Sequence, residues 1–152
     1  MEQKSLTALI SAFSRAYHAL NNEVTIFNDS LARDLLTDEE FNQIAKNMSN
    51  GIGFFNPSFV GEPEQALRWV VDNQLSPSPL GRAAFAEKSL EWAVRTGTEQ
   101  YLIWGAGYDT FAYRQPLWAK ALQIFEVDHP ATARDKQERL KSAGIVIPDN
   151  VH

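Results

Sequence analysis

Two short segments of this chain combine residue types that suit a nucleotide-like ligand. The apolar run Tyr101 to Trp104 passes directly into Gly105-Ala106-Gly107, where backbone amides are left uncovered by side chains. A second apolar run ends at Asp128, 23 residues after Gly105, the separation at which a strand-helix-strand unit presents an acidic side chain to ribose hydroxyls. An ionised carboxylate accepts two charge-assisted hydrogen bonds from a vicinal diol. The spacing therefore favours a ligand that contains a nucleoside.

Several features of this pattern have more than one interpretation. Glu126 lies two residues before Asp128, so both side chains share a strand face and either suits the diol. Asp109 either holds the glycine turn or caps the helix expected after it. A Gly-x-Gly pair also fits a plain turn between a strand and a helix. In the dinucleotide pattern G-x-G-x-x-G the third glycine position is Thr110, which argues against NAD or FAD.

The elements that must position these residues are predicted in two parts, a helical part over residues 1–97 and a β-α-β-α part over residues 98–152. The first strand, 101–104, has no polar alternation, which predicts a parallel strand buried on both faces. The predicted helices run over Ser5 to Leu20, a short piece with Leu31, Leu35 and Leu36, a capped stretch from Thr37 to Gly51, a helix from Pro63, Pro79 to Thr96, a helix reaching Lys120, and Pro130 to Gly144.

Two stretches of the helical part are predicted to be irregular. Residues 51–61 contain Phe54, Phe55 and Phe59 without a clean period, which indicates an ordered loop held by its aromatic side chains, or alternatively a lid. Ser76-Pro77-Ser78-Pro79 is expected to break the chain.

Composition excludes several classes of partner. The 152 residues are 44% hydrophobic and 22% charged, with a net charge of -5, and lack the clustered Lys and Arg that phosphate backbones or anionic lipids require. No segment approaches the roughly 20 apolar residues of a membrane helix, and the N-terminus lacks the apolar core of a signal peptide. We therefore expect a cytoplasmic protein that binds neither nucleic acid nor membrane. The absence of cysteine and the spacing of the three histidines give no sign of a metal site.

The glycine turn also lies in a longer segment that resembles the cofactor motif of the leucine carboxyl methyltransferase family. In that family an apolar strand runs into Gly-Ala-Gly, any residue, Asp-Thr, a pair of aromatic or small residues and Arg, as in Gln100 to Arg114 here. Phe125 to Pro130 is similar to the family's second motif. Residues 7–16 and 27–32 resemble the N-terminal helical cap of the bacterial branch, which includes polyketide O-methyltransferases, although Ser30 stands where proline is usual.

This resemblance implies a class I methyltransferase fold of the Rossmann-like type, with S-adenosylmethionine as cofactor. It implies Arg82 on the methionine carboxylate, Gly105, Ala106 and Gly107 against the methionine and ribose, and Asp128 on the ribose hydroxyls. Without the resemblance, Arg82 is equally well a solvated helix residue. Arg15 either faces the cofactor or lies on the surface. The acceptor implied is a carboxylate, which is ionised near neutral pH and needs no general base, or a small polyketide-like molecule; no catalytic residue is assigned.

The α/β part is also expected to be unfinished. A doubly wound sheet has about five to seven strands, whereas this sequence supplies two and the approach to a third at residues 149–152. We therefore expect a truncated form of a larger enzyme, with little activity alone and with an open sheet edge that favours self-association. The rival hypotheses are a non-catalytic nucleoside-binding or interaction module and a fragment of a nicotinamide-dependent oxidoreductase.

Overall fold

A computed structural model describes residues 5–23 and 26–152. Within them five helices precede two parallel strands and a sixth helix follows, as the sequence predicts. The helices are α1 (Leu6–Asn21), α2 (Asp38–Asn50), α3 (Ile52–Phe55), α4 (Pro63–Val70), α5 (Pro77–Arg95) and α6 (Pro130–Ser142), and the strands are β1 (Gln100–Trp104) and β2 (Gln123–Val127).

Short-range capping signals account for most helix boundaries. The Ser5 side chain accepts a hydrogen bond from the Ala8 amide at the start of α1. At α2, Thr37 and Glu40 exchange both bonds of the predicted capping box. Pro63 occupies the first turn of α4, where a missing N–H costs nothing. These predicted boundaries are confirmed because each depends only on residues a few positions apart.

Three predictions in the helical part are wrong. Residues 30–35 form turns closed by i to i+3 hydrogen bonds instead of a helix, although Asp29 accepts the Ala32 amide as a cap does. The aromatic side chains of residues 51–61 do not anchor a loop, because this stretch contains α3 and Phe54 is 86% exposed. The chain does not break at Ser76, which stays right-handed helical between a π-helical turn, Val71–Leu75, and α5.

The two strands pair in parallel, with Leu102 opposite Phe125 and Trp104 opposite Val127. On the other side of β2, Val151 forms a parallel bridge to Ile124, and the Ile124 amide donates to the Asn150 carbonyl. Strand β2 therefore lies between β1 and the segment 150–152. The approach to a third strand that the sequence predicts is present as this bridge.

The connection between β1 and β2 differs from the prediction. In place of a helix reaching Lys120, the chain makes two 3₁₀ turns, Phe111–Tyr113 and Leu117–Ala119. Pro116 lies between them and explains the difference, because proline lacks an N–H donor and disfavours helical geometry in the residue before it.

The sheet is covered on one face only, so the prediction of burial on both faces is wrong. Ile124, Phe111 and Leu90 form a core with the 3₁₀ segments on one side. The opposite face carries Leu102, 54% exposed, and Trp104, 80% exposed. The apolar run reports the tendency of both faces to be covered, whereas the elements present in the described ranges cover one.

A second core joins the helical part to the α/β part. It contains Phe13 and Ala16 of α1, Leu35 of the turn segment, Tyr108 and Leu140 of α6. The division at residue 97 stays a prediction, since this core contains residues from both sides of it. Of the helices in the described ranges, none combines the length and apolarity that a membrane crossing requires.

Candidate functional site

A cavity of about 490 Å³ opens at the carboxyl end of β1, where open α/β sheets bind ligands. Helix α1, helix α5 and the glycine turn form its walls, and its size is ordinary for a small-molecule site. Its lining includes Thr7, Ala8, Ser11 and Arg15 from α1, Pro79, Arg82, Ala83 and Ala86 from α5, residues 105–109 and Asp128. The cavity thus brings together six of the seven predicted binding residues.

The backbone of the glycine turn requires its two glycines. Gly105 has φ of 71° and Gly107 has φ of 50°, a region that side chains disfavour. A Cβ on Gly107 would also lie 3.2 Å from the Cβ of Ala8. The Gly105 and Ala106 amides both donate to the Val127 carbonyl, at 2.7 and 3.1 Å, which ties the turn to the end of β2.

Asp128 lies directly against this turn. One carboxylate oxygen accepts the Gly107 amide at 2.6 Å and the other accepts the His129 amide at 2.6 Å. Each oxygen has a second lone pair, so the carboxylate retains acceptor capacity for a ligand. Asp128 lines the main cavity and also a smaller one of about 120 Å³ beside it.

Glu126, the alternative to Asp128, is engaged elsewhere. It pairs with the buried Lys136 at 2.7 Å and accepts the Tyr113 hydroxyl at 2.6 Å. Burial raises the pKa of Tyr113, and the adjacent Glu126 carboxylate raises it further, so the phenol remains a donor. Glu126 lines the smaller cavity and is the one predicted residue that does not line the larger.

The arginines at the cavity differ in their partners. Arg82 is exposed on α5, and no hydrogen bond or ion pair joins it to another residue of the described ranges. Arg15 is 7% exposed, which excludes the interpretation as a surface residue. Its guanidinium donates to Asp29 at 2.8 Å and to the Tyr108 carbonyl at 2.7 Å.

Asp109 matches the capping interpretation. Its carboxylate accepts the Phe111 amide at 2.8 Å and so caps the first 3₁₀ turn, in place of the helix expected there. Because Asp109 also lines the cavity, it places a second negative charge near Asp128. With Arg82 opposite, the cavity offers both signs of charge, which suits a ligand that carries an anionic and a cationic group.

Sequence reasoning missed a buried network beside the cavity. Asp29 accepts the Thr110 hydroxyl at 2.6 Å as well as Arg15, and Thr110 accepts Arg114 at 2.8 Å. Arg114 in turn pairs with Glu87 on α5. Burial raises the pKa of Glu87, while the Arg114 guanidinium opposes that rise. A signal was present, because Arg15 interrupts the apolar part of α1 and therefore needs a buried partner.

No group of three or more metal-ligating side chains lies close together among residues 5–23 and 26–152.

The fold and the site are those of a nucleoside-binding α/β protein, and the comparisons with known proteins give the family. The family model for leucine carboxyl methyltransferase matches residues 8–152, so the chain belongs to that family. It is 47% identical over 99% of its length to a Bacillus subtilis protein provisionally named S-adenosyl-L-methionine-dependent methyltransferase YktD, and covers 51% of that protein.

More distant relatives have names of the same kind. A Mycobacterium tuberculosis protein, provisionally named S-adenosyl-L-methionine-dependent methyltransferase Rv3399, is 29% identical over 88% of this chain, which covers 36% of it. The chain thus spans about half the length of YktD and about a third of the length of the mycobacterial relative.

Proposed function

We propose that this protein binds S-adenosylmethionine and belongs to an enzyme that transfers its methyl group to an oxygen of a carboxylate or of a small polyketide-like molecule. One observation carries the proposal: in a chain of this family, Arg82, the glycine turn and Asp128 border a single cavity at the end of β1. The names of the relatives support the cofactor. The acceptor class comes from the family resemblance.

The residues at the cavity fit the cofactor in three respects. Arg82 supplies a permanently charged planar group for the methionine carboxylate and has no competing carboxylate among the described residues. Nothing lies within 4 Å of a Cβ built on Gly105, so the backbone there is open to a ligand. Asp128 retains lone pairs for the two ribose hydroxyls.

When bound, S-adenosylmethionine supplies a methyl group activated by its sulfonium. The protein's own contribution is position and electrostatics, because methyl transfer is an in-line displacement that gains most from alignment. Asp109 and Asp128 add negative charge to a cavity that would hold a cation. A carboxylate acceptor needs no deprotonation near neutral pH, so the absence of an assigned base is consistent with it.

Calorimetric titration with S-adenosylmethionine tests the proposal. We expect saturable binding that Asp128→Ala and Arg82→Ala each weaken about tenfold, the equivalent of one charge-assisted hydrogen bond. The matched controls are Asp149→Ala and Arg95→Ala, since neither residue lines the cavity. Binding that is unaffected by both cavity variants would remove the basis of the assignment.

Two further outcomes separate the rival functions. Methyl transfer from labelled S-adenosylmethionine to a panel of carboxylates would show an enzyme that is active with this chain alone. Binding without turnover would support the non-catalytic nucleoside-binding module. Binding of NADH in preference to S-adenosylmethionine would favour the oxidoreductase, against which Thr110 at the third glycine position argues.

A further inference from the structure

Asp29 is the centre of a buried polar network that borders the candidate cofactor cavity without lining it. Its carboxylate is 1% exposed. One oxygen accepts the Thr110 hydroxyl at 2.6 Å and the Ala32 amide at 3.2 Å. The other accepts Arg15 Nε at 2.8 Å, and Arg114 Nε lies 3.4 Å from the first oxygen. Two arginines and two hydrogen bonds from other groups therefore converge on one carboxylate.

The network reaches the glycine turn at two points. Arg15 extends from Asp29 and donates Nη2 to the Tyr108 carbonyl at 2.7 Å, and Thr110 follows two residues later in the same segment. Arg15 also donates to Ser11 on the cavity side of α1. Asp29 thus holds α1 and the Tyr108 to Thr110 segment in a fixed relation, on the two sides of one wall of the cavity.

This arrangement is more than the stability of the fold requires. Burying charges carries a desolvation penalty, and apolar side chains often serve stability as well as a buried ion pair does. A turn with two glycines at positive φ is intrinsically loose, whereas ligand binding gains from a fixed backbone. The Tyr108 carbonyl and the Thr110 hydroxyl are the two groups whose position determines the path of this turn beyond Gly107.

We propose that Asp29 is a positioning residue that, through Arg15 and Thr110, fixes the backbone of the glycine turn and thereby sets the affinity for the cofactor. The inference rests on the proposed function for the identity of the ligand. It assigns no contact between Asp29 and the cofactor. The helical part thereby controls the binding site through a side chain that the ligand never touches.

The test compares two substitutions of Thr110 that differ in the hydroxyl. Thr110→Val keeps the shape and removes the hydrogen bond to Asp29, and we expect about tenfold weaker binding of S-adenosylmethionine in calorimetry. Thr110→Ser keeps the hydroxyl, and we expect affinity within about twofold of the unsubstituted protein. Equal losses in both variants, or no loss in Thr110→Val, would overturn the proposal.

A matched control separates positioning from general stability. Ser14 on α1 donates a buried hydrogen bond to Ser76 at 3.3 Å, away from the turn. We expect Ser14→Ala to lower the thermal midpoint without changing cofactor affinity. If Ser14→Ala weakens binding as much as Thr110→Val does, the effect is one of stability and the proposal fails.

Hydrogen exchange provides a readout that needs no ligand. We expect the amides of residues 107–109 to exchange faster in Thr110→Val and in Asp29→Asn than in the unsubstituted protein or in Ser14→Ala. Unchanged exchange at these amides in both variants would overturn the role of Asp29. If the unsubstituted protein binds neither S-adenosylmethionine nor S-adenosylhomocysteine, the proposed function fails, and the exchange of the turn still decides the positioning role.

Discussion

At the scale of single residues, the partners of each carboxylate distinguish side chains of the same type. Asp128 accepts two backbone amides and lines the main cavity, whereas Glu126 two residues earlier neutralises Lys136 in the interior. Spacing alone leaves these two residues equivalent. Their different surroundings predict different consequences for the same loss of charge.

The first prediction compares Asp128→Asn with Glu126→Gln. Asp128→Asn should weaken S-adenosylmethionine binding about tenfold and change stability little, because its partners are backbone amides. Glu126→Gln should lower the free energy of unfolding by about 3 kcal/mol, because it leaves the buried Lys136 without a counter-charge. Urea unfolding and calorimetry on both variants measure the two effects, and the reverse pattern would exchange the assigned roles.

The second prediction concerns Glu40, which caps α2 and also pairs with Arg139 of α6 at 2.6 Å. Hydrogen bonds from the Arg139 guanidinium hold the pKa of Glu40 at about 2, below its ordinary 4.5. Because the folded-state pKa is the lower one, this stabilisation is complete above about pH 4.5 and is lost as the pH falls towards 2.

Glu40→Gln should therefore lower the free energy of unfolding by about 2 kcal/mol at pH 7 and by less at pH 3.5. Urea unfolding at the two pH values measures the difference. Glu39→Gln, at the exposed neighbouring position, is the control and should show a smaller effect at both. A deficit that is the same at pH 7 and pH 3.5 would contradict the linkage.

At the scale of elements, the contact between α1 and the glycine turn determines the shape of the site. Ala8 of α1 packs against Gly107, and Thr7, Ser11 and Arg15 of the same helix line the cavity. The helical part is thus one wall of the site as well as a part of the core. Any side chain at residue 107 must displace either the turn or α1.

The third prediction compares two glycine substitutions with opposite expected signs. Gly107→Ala should lower the free energy of unfolding by about 1–3 kcal/mol, because φ is 50° and the added Cβ lies 3.2 Å from Ala8. Gly81→Ala should raise it by up to about 1 kcal/mol, since Gly81 lies within α5 and its Cβ would enter open space. Thermal and urea unfolding check both, and equal shifts would contradict the argument.

At the scale of the whole molecule, one sheet face is open. Leu102, Trp104, Phe125 and Val127 form this face, and none of them is buried. Parallel sheets are almost always covered on both faces, so an apolar surface of this kind favours association. Because the chain spans about half the length of YktD, the activity and partners of the whole protein are proposals.

The fourth prediction is that the isolated chain self-associates through this face, at an apparent mass above that of a monomer in light scattering. Leu102→Lys should lower the apparent mass, because a lysine on an exposed strand opposes pairing and apolar contact. Trp92→Lys is the control, since Trp92 is also exposed but lies on α5. A unsubstituted chain that is a monomer at all concentrations would contradict the prediction.

Local signals explain what was predictable about the fold. The Thr37 capping box, the Pro63 start and the stop at Gly97 depend on residues within a few positions of one another, and each is present. The 3₁₀ turns and the turns at 30–35 were not predictable, because an apolar helical spacing also occurs in compact turns that tertiary contacts stabilise. Acceptor, compartment and oligomeric state stay predictions.

The sequence by itself determined the order of the elements, the glycine turn and the pairing of that turn with an acidic residue at the end of β2. These features follow from the fixed periods of helices and strands and from the unusual φ angles of glycine. Only the tertiary structure decided that Glu126 faces Lys136 and that Asp29 holds Arg15 and Thr110, a contact across 81 positions. Buried charges find their partners through packing, and packing brings together residues whose separation in sequence has no period.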